Sequence, residues 1–270
     1  VENLRKNIIF VFLFFLTSTL YSQNLKNTHI NIVDDGAQWP PFIYYERKNG
    51  KISQNIVGFS IDVINEIFKR NNITYSTKLL PWKRALKELE LGVDYQLILN
   101  ASYSKKRDKL YYFTRPFYSL NNFVFYSKEH YPQGLESTNI SYIKNNYKVC
   151  GLLAYNYTDI GFKDEEIDKV GFYDFDKLIR AIEQRQARCN VFLEGYEIFV
   201  GFQALGKDYF SNKNLGYAKI KDAKQTPFHM IISKKFKYAN ELTKLINEGL
   251  NTLEESGRLE ELKTKYNLNY

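Results

Sequence analysis

The sequence is poor in the residues that hold metals. Its three histidines (His29, His130, His229) and two cysteines (Cys150, Cys189) show no ligand spacing, so no metal and no cofactor are expected. Past the N-terminus no apolar run approaches the roughly 20 residues needed to cross a bilayer. There is no internal repeat, no low-complexity segment and no linker rich in Pro, Gly or Ser. Any division of the chain must therefore be made by short crossing strands. Basic residues exceed acidic ones, 38 against 30, for a net charge of +8. They are spread over predicted helix surfaces rather than massed in one run, which speaks against a nucleic-acid partner.

The N-terminus has a different character. Arg5 and Lys6 precede an unbroken apolar run from Ile8 to Leu16, and Thr17, Ser18, Thr19 and Ser22 follow. A basic end, a short apolar core and a small-residue exit are the order of a secretory leader. Residues 1–22 are expected to be removed, leaving about 248 residues and lowering the charge to +7. No cysteine lies near the exit, so no lipid attachment is expected. The mature protein is expected to be soluble and periplasmic. In an exported chain two cysteines point to a disulfide. Cys150 falls on one predicted strand and Cys189 at the start of another, which parallel pairing would bring side by side.

The remainder alternates strand-like and helix-like segments, the pattern of βαβ units and largely parallel sheets. Strands are predicted at 29–33, 73–80, 95–100, 122–127, 147–153, 190–193 and 228–232. The helix over 58–70 has Ile61, Val63, Ile64, Ile67 and Phe68 as its apolar stripe. A second helix opens at Pro81, presents Trp82, Ala85, Leu86 and Leu89 on one face, and stops at Gly92. Further helices are predicted over 174–184, 238–250 and 253–266, the last interrupted at Ser256-Gly257.

Five collinear segments carry a resemblance to a known family. They are Trp39-Pro40-Pro41-Phe42; Gly58-Phe59-Ser60-Ile61-Asp62-Val63; Gly92-Val93-Asp94 with Ser104-Lys105-Lys106-Arg107 and Phe113 to Tyr118; Gln186 to Glu194; and Leu253 to Leu259 with Lys265-Tyr266. Together they resemble the family 3 periplasmic solute-binding proteins, the polar amino-acid type. Ser60 stands where that family usually has an acid. The resemblance implies a two-lobed α/β fold, each lobe a mostly parallel sheet flanked by helices, with a ligand in the interlobe cleft. Lobe one would comprise residues 23–119 and 227–270 and lobe two 120–226, with hinge strands near 117–122 and 224–228. The implied partners are a small polar ligand and an inner-membrane ABC permease or sensor, and the protein would be a monomer.

A zwitterion needs a donor fork for its carboxylate, an acid for its ammonium and a wall for its side chain. Arg107 suits the first role, because guanidinium binds carboxylate through two parallel hydrogen bonds, and it matches the family's carboxylate-binding arginine. Asn100 and Ser102 fall at the strand end where the family places hydrogen-bonding residues. Trp39 and Trp82, the only tryptophans, would wall the ligand. Asn156 lies in the lobe-two loop where the family has glycine and hydroxyl residues, and would substitute as a donor. The ammonium-binding acid is Glu194 in one register, while another places Gly195 there and leaves Glu194 or Glu197 to serve. The expected activity is capture without catalysis. Two rivals stand beside it. A cyclohexadienyl- or arogenate-dehydratase-like enzyme on the same fold would use Glu194 as proton donor. A ligand-sensing lobe pair would continue into another domain, whereas this chain stops soon after Tyr266.

Overall fold

The computed structural model describes residue 25 and residues 28–184 and 188–268. The expected leader, and Gln186 and Ala187 of the fourth matching segment, lie outside the described residues. Along the chain come β1 (His29–Asp35), β2 (Tyr44–Lys48), β3 (Lys51–Val57), α1 (Phe59–Arg70), β4 (Thr74–Leu80), α2 (Trp82–Leu91), β5 (Leu97–Ser102), α3 (Lys105–Asp108), β6 (Tyr111–Phe113), β7 (Tyr118–Leu120) and β8 (Asn122–Ser127). They are followed by α4 (Ile140–Asn146), β9 (Val149–Cys150), β10 (Ile167–Asp168), α5 (Phe175–Glu183), β11 (Val191–Gly195), α6 (Tyr196–Gly201), β12 (Leu215–Lys219), β13 (Thr226–Ser233), α7 (Ala239–Glu255) and α8 (Arg258–Lys265).

These strands make two principal sheets, one per lobe. The first has the order β4-β1-β5-β13-β6, with β7 also paired to β13; the second has β10-β9-β11-β8-β12. In each sheet a single strand runs against the rest: β13 in the first, β8 in the second. The reversed strands lie where the chain crosses between lobes. β8 starts two residues after β7 ends, and β13 follows the return from β12. The Asn122 side-chain amide ties the two crossings together, donating to the Lys224 carbonyl at 2.7 Å and to Thr226 Oγ1 at 3.0 Å.

Packing holds the helices of lobe one that no side chain caps. No side chain caps the N-terminus of α1, yet Phe59, Ile61, Val63, Ile64, Ile67 and Phe68 are all buried along it. Each large apolar side chain contributes about 1.5–3 kcal/mol on burial, against about 1 kcal/mol for a cap. On α2, Trp82, Ala85 and Leu89 are buried, and Gly92 ends the helix at φ 67°, a left-handed conformation that favours glycine. The strand expected over 147–153 is shorter than the sequence suggests and covers Val149–Cys150 alone. Beyond it the chain turns around Tyr157, whose ring would stand 2.7 Å from a Cβ on Gly151 and whose hydroxyl accepts the Leu152 N–H at 2.8 Å.

Cys150 and Cys189 form a disulfide with their Cα atoms 5.7 Å apart. It joins β9 to the segment entering β11, its parallel neighbour. Among the described residues no helix is long and apolar enough to cross a membrane.

Candidate functional site

In open α/β sheets ligands bind outside the carboxyl ends of the strands, where side chains leave the sheet and backbone groups turn outward. Here three such ends converge. Asp34 and Asp35 close β1, Asn100 and Ser102 close β5, and Glu194 and Gly195 close β11 from the other lobe. The cavity they share is small, about 60 Å³. Trp39, Trp82, Arg107, Tyr155 and Asn156 also line it. All seven residues expected at the ligand site therefore face one interlobe space.

The acid at the end of β1 organises the lobe-one wall. The Asp34 carboxylate is buried and accepts the N–H groups of Asp35 at 2.8 Å and Leu99 at 3.1 Å, and the side-chain amide of Asn100 at 3.0 Å. Asn100 Oδ1 in turn accepts Ser60 Oγ at 2.6 Å and the Tyr118 hydroxyl at 3.0 Å. Ser60, in the place of the family's usual acid, thus acts as a donor beneath the site. Asn100 lines the cavity with its amide oxygen and one amide hydrogen engaged inside lobe one. Its geometry is that of a brace for the wall.

Arg107 is buried at the turn after β5. Its guanidinium donates from one nitrogen to the Ser102 carbonyl at 2.9 Å and to Ser102 Oγ at 3.2 Å. The same group sits 5.4 Å from the Trp82 ring centroid, within cation–π range. Burial pulls its pKa down to about 10, opposed by nearby anionic groups including Asp159, so it stays a cation at neutral pH. Asn156 reaches across from lobe two, donating to the Tyr103 carbonyl at 2.8 Å and to Ser102 Oγ at 3.1 Å.

On the facing side Glu194 is buried. One carboxyl oxygen accepts the N–H of Gly195 at 2.7 Å, while Oε2 is buried without a hydrogen-bond partner. Burial, with Glu197 and Asp35 nearby, pushes its pKa up to about 8. Of the two candidate acids, Glu194 faces the cavity. Glu197 is turned to the crossing between β7 and β8, where its carboxylate accepts the Asn121 backbone N–H at 3.0 Å and side-chain amide at 2.6 Å.

Sequence reasoning missed several lining residues. The first strand is predicted to end at Val33, but β1 continues through Asp34 and Asp35. Burial raises Asp34 to about 7 and Asp35 to about 6. Two acids closing a β-branched buried strand were the available signal. Tyr155 is the second omission: its hydroxyl donates to Asp35 Oδ2 at 2.6 Å, and its ring meets Trp39 edge-on at 5.5 Å and Trp82 at 6.5 Å. Thr226 and Phe228 of β13 complete the wall, with Phe228 stacked on Tyr118 at 5.0 Å.

Residues 32–269 match the family model of the bacterial extracellular solute-binding proteins, family 3. No curated protein is similar enough in sequence to match. Among solved structures, the chain is similar to an amino acid ABC transporter substrate-binding protein of Streptococcus pneumoniae bound to L-arginine, with 19% identity, 88% of this chain and 94% of that one covered, and a TM-score of 0.65. It is similar also to a histidine kinase sensor domain resembling periplasmic binding proteins (16% identity, 90% and 97% covered, TM-score 0.69). A third is an ancestral amino acid-binding protein that is a precursor of cyclohexadienyl dehydratase (15% identity, 92% and 99% covered, TM-score 0.66). At these identities the likeness is one of fold.

Proposed function

Because the chain belongs to the family 3 bacterial extracellular solute-binding proteins, we propose that it captures a small amino-acid-like ligand between its lobes in the periplasm and presents it to a membrane partner. The observation that carries the ligand class is the charge around the cavity. Three carboxyl groups (Asp34, Asp35, Glu194) and one guanidinium (Arg107) line it. An anion alone would meet mostly acids. A ligand with an ammonium and a carboxylate meets an acid on one lobe and a fork of donors on the other.

In this reading Arg107 holds the carboxylate, with Ser102 and Asn156 beside it. Glu194 Oε2, buried and without a partner, takes the ammonium, and Trp39 and Trp82 wall the remainder. Residues 23–119 with 227–270 and residues 120–226 move as lobes about the strands joined by Asn122. The monomer closes because the ligand contacts both lobes only in the closed form, and a ligand shifts such an equilibrium by its differential affinity for the two states. The partner is an inner-membrane ABC permease or a sensor, in keeping with relatives that are an ABC transporter substrate-binding protein and a histidine kinase sensor domain.

A thermal-shift screen against amino acids, polyamines, small peptides and organic acids tests this. A ligand at 100 times its Kd stabilises by about 2.7 kcal/mol. Small-angle scattering with the hit should give a smaller radius of gyration, and an unchanged radius at saturation counts against closure. A second reading has one observation in its favour: Glu194, held up to about 8 by burial, is a buried proton donor at neutral pH. That is what a dehydratase acting on prephenate-like acids requires. Turnover of prephenate or arogenate would establish it, and its absence leaves capture without catalysis.

A further inference from the structure

We propose that Tyr155 is the specificity-determining residue of this cleft, restricting it to ligands with short side chains. The inference rests on the reading of the cavity as the ligand site. Tyr155 belongs to lobe two, but its side chain ends inside lobe one. The turn that sends it there is held at several points. Ala154 adopts φ 64°, the Tyr155 N–H bonds the Leu152 carbonyl at 3.2 Å, and the Tyr155 carbonyl accepts Lys169 Nζ at 2.8 Å.

The ring then meets both tryptophans, and its hydroxyl bonds Asp35 Oδ2 at 2.6 Å. The aromatic walls expected to enclose a ligand side chain therefore enclose a side chain of the protein itself. On one side of Tyr155 lies the cavity of about 60 Å³, and on the other a vestibule of about 1040 Å³ that shares Arg107, Tyr155 and Asn156 with it. The smaller space is well below the roughly 300 Å³ at which small-molecule pockets usually begin. A ligand bound by its charged head between Arg107 and Glu194 has little room for a side chain unless Tyr155 moves.

Tyr155 restricts charge as well as length. With Glu194 assigned to the ammonium and Asp34 accepting three hydrogen bonds inside lobe one, Asp35 is left to receive a second cation, but each of its carboxyl oxygens already accepts a hydrogen bond. Oδ1 accepts the Ala37 N–H at 2.9 Å and Oδ2 accepts the tyrosine hydroxyl. A long cationic side chain must displace the ring from the tryptophans and the hydroxyl from Asp35. Tyr155→Ala removes both obstacles, whereas Tyr155→Phe keeps the ring and frees the carboxylate.

The test is calorimetric titration of wild type, Y155A and Y155F with L-alanine and L-arginine, with thermal melts to verify folding. The ratio of the L-arginine Kd to the L-alanine Kd should fall at least tenfold in Y155A and by a smaller factor in Y155F. A ratio unchanged in Y155A, with binding intact, overturns the proposal and leaves the ligand site standing. No binding of either amino acid by any of the three proteins overturns the amino-acid reading and this proposal with it. A second readout needs no ligand, because Trp39 and Trp82 are the only tryptophans in the chain. Acrylamide quenching of tryptophan fluorescence should rise at least twofold in Y155A. Quenching equal to wild type would show that Tyr155 does not fill the space between them.

Discussion

A Cβ atom on Gly201 would lie 2.4 Å from the carbonyl carbon and oxygen of Pro40. Gly201 ends α6 in lobe two, and Pro40 follows β1 in lobe one, so the two lobes meet backbone to backbone at this point. Gly201 has ordinary helical angles, φ −61° and ψ −27°. What it supplies is close approach, since alanine would fit its backbone conformation but not its neighbour. Real Cβ atoms essentially never come so near a backbone atom, and on the proposed closing motion the clash belongs to the closed form.

Gly201→Ala is therefore expected to act on closure rather than on folding. Overpacking of this kind costs about 1–3 kcal/mol, which on the closed state alone translates into roughly a 5- to 150-fold loss of ligand affinity. The unliganded melting temperature should fall little, and scattering at saturating ligand should show an incompletely contracted molecule. Wild-type affinity in this variant would mean that the Gly201–Pro40 contact is not part of the closing motion.

The Arg107 variants probe the carboxylate site. Losing one partner of a buried charge pair leaves the other uncompensated, which costs several kcal/mol. Arg107→Ala should weaken the ligand found by the screen a hundredfold or more. Arg107→Lys should fail nearly as badly, since a point charge on a flexible stem cannot replace a two-pronged donor that also reaches Ser102 and lies over Trp82. Isothermal titration measures both. Wild-type binding by a folded Arg107→Ala protein would move the ligand elsewhere in the cleft.

The disulfide sits close to function. Cys150 lies at the root of the loop that carries Tyr155 and Asn156, and Cys189 precedes the strand that ends at Glu194. Closing a loop of 39 residues restricts the unfolded chain by about 4 kcal/mol on the loop-entropy model. Urea denaturation with and without reductant should show a loss of up to that size, with weaker ligand binding in the reduced form. An unchanged midpoint and affinity on verified reduction would contradict both effects.

Periodicity made the amphipathic helices legible, because burial follows the 3.6-residue repeat: every residue of the Ile61 to Phe68 stripe is buried. Shorter elements escaped. Leu215–Lys219 pairs along β8 although Gly216 and Lys219 dilute any strand pattern, and Lys105–Asp108 forms too few turns to show a repeat. In the site, residues fixed by a local motif, such as Arg107 after Ser104, were readable. Tyr155 was not, since its position depends on a left-handed residue at Ala154 and on an acid 120 positions away. The β1 acids fell outside the predicted strand for a related reason. Asp and Asn favour turns, and only the parallel pairing of Asp34 and Asp35 with Leu79 and Leu80 keeps them in the strand.

The buried acids predict the pH dependence of the empty protein. Burial raises Asp34 from 3.8 to about 7, Asp35 from 3.8 to about 6 and Glu194 from 4.5 to about 8. A group whose folded pKa lies above its unfolded value holds a proton that the unfolded chain has already released. Stability then falls as pH rises, beginning near the unfolded values around 4 and ending once pH passes about 8. The ligand-free protein should accordingly be more stable at pH 5 than at pH 8.5, by an amount on the order of a few kcal/mol. Glu194→Gln, which cannot ionise, should flatten the upper part of that decline. Ligand binding should show the opposite trend, because an ammonium beside Glu194 favours its carboxylate form. At pH 7 the titration heat should vary with the ionisation enthalpy of the buffer, reporting proton release, and Glu194→Gln should lose its share of that release. Stability that rises between pH 5 and pH 8.5 would mean that these acids are already ionised in the empty protein, and binding heats independent of buffer would place the ligand's positive group away from Glu194.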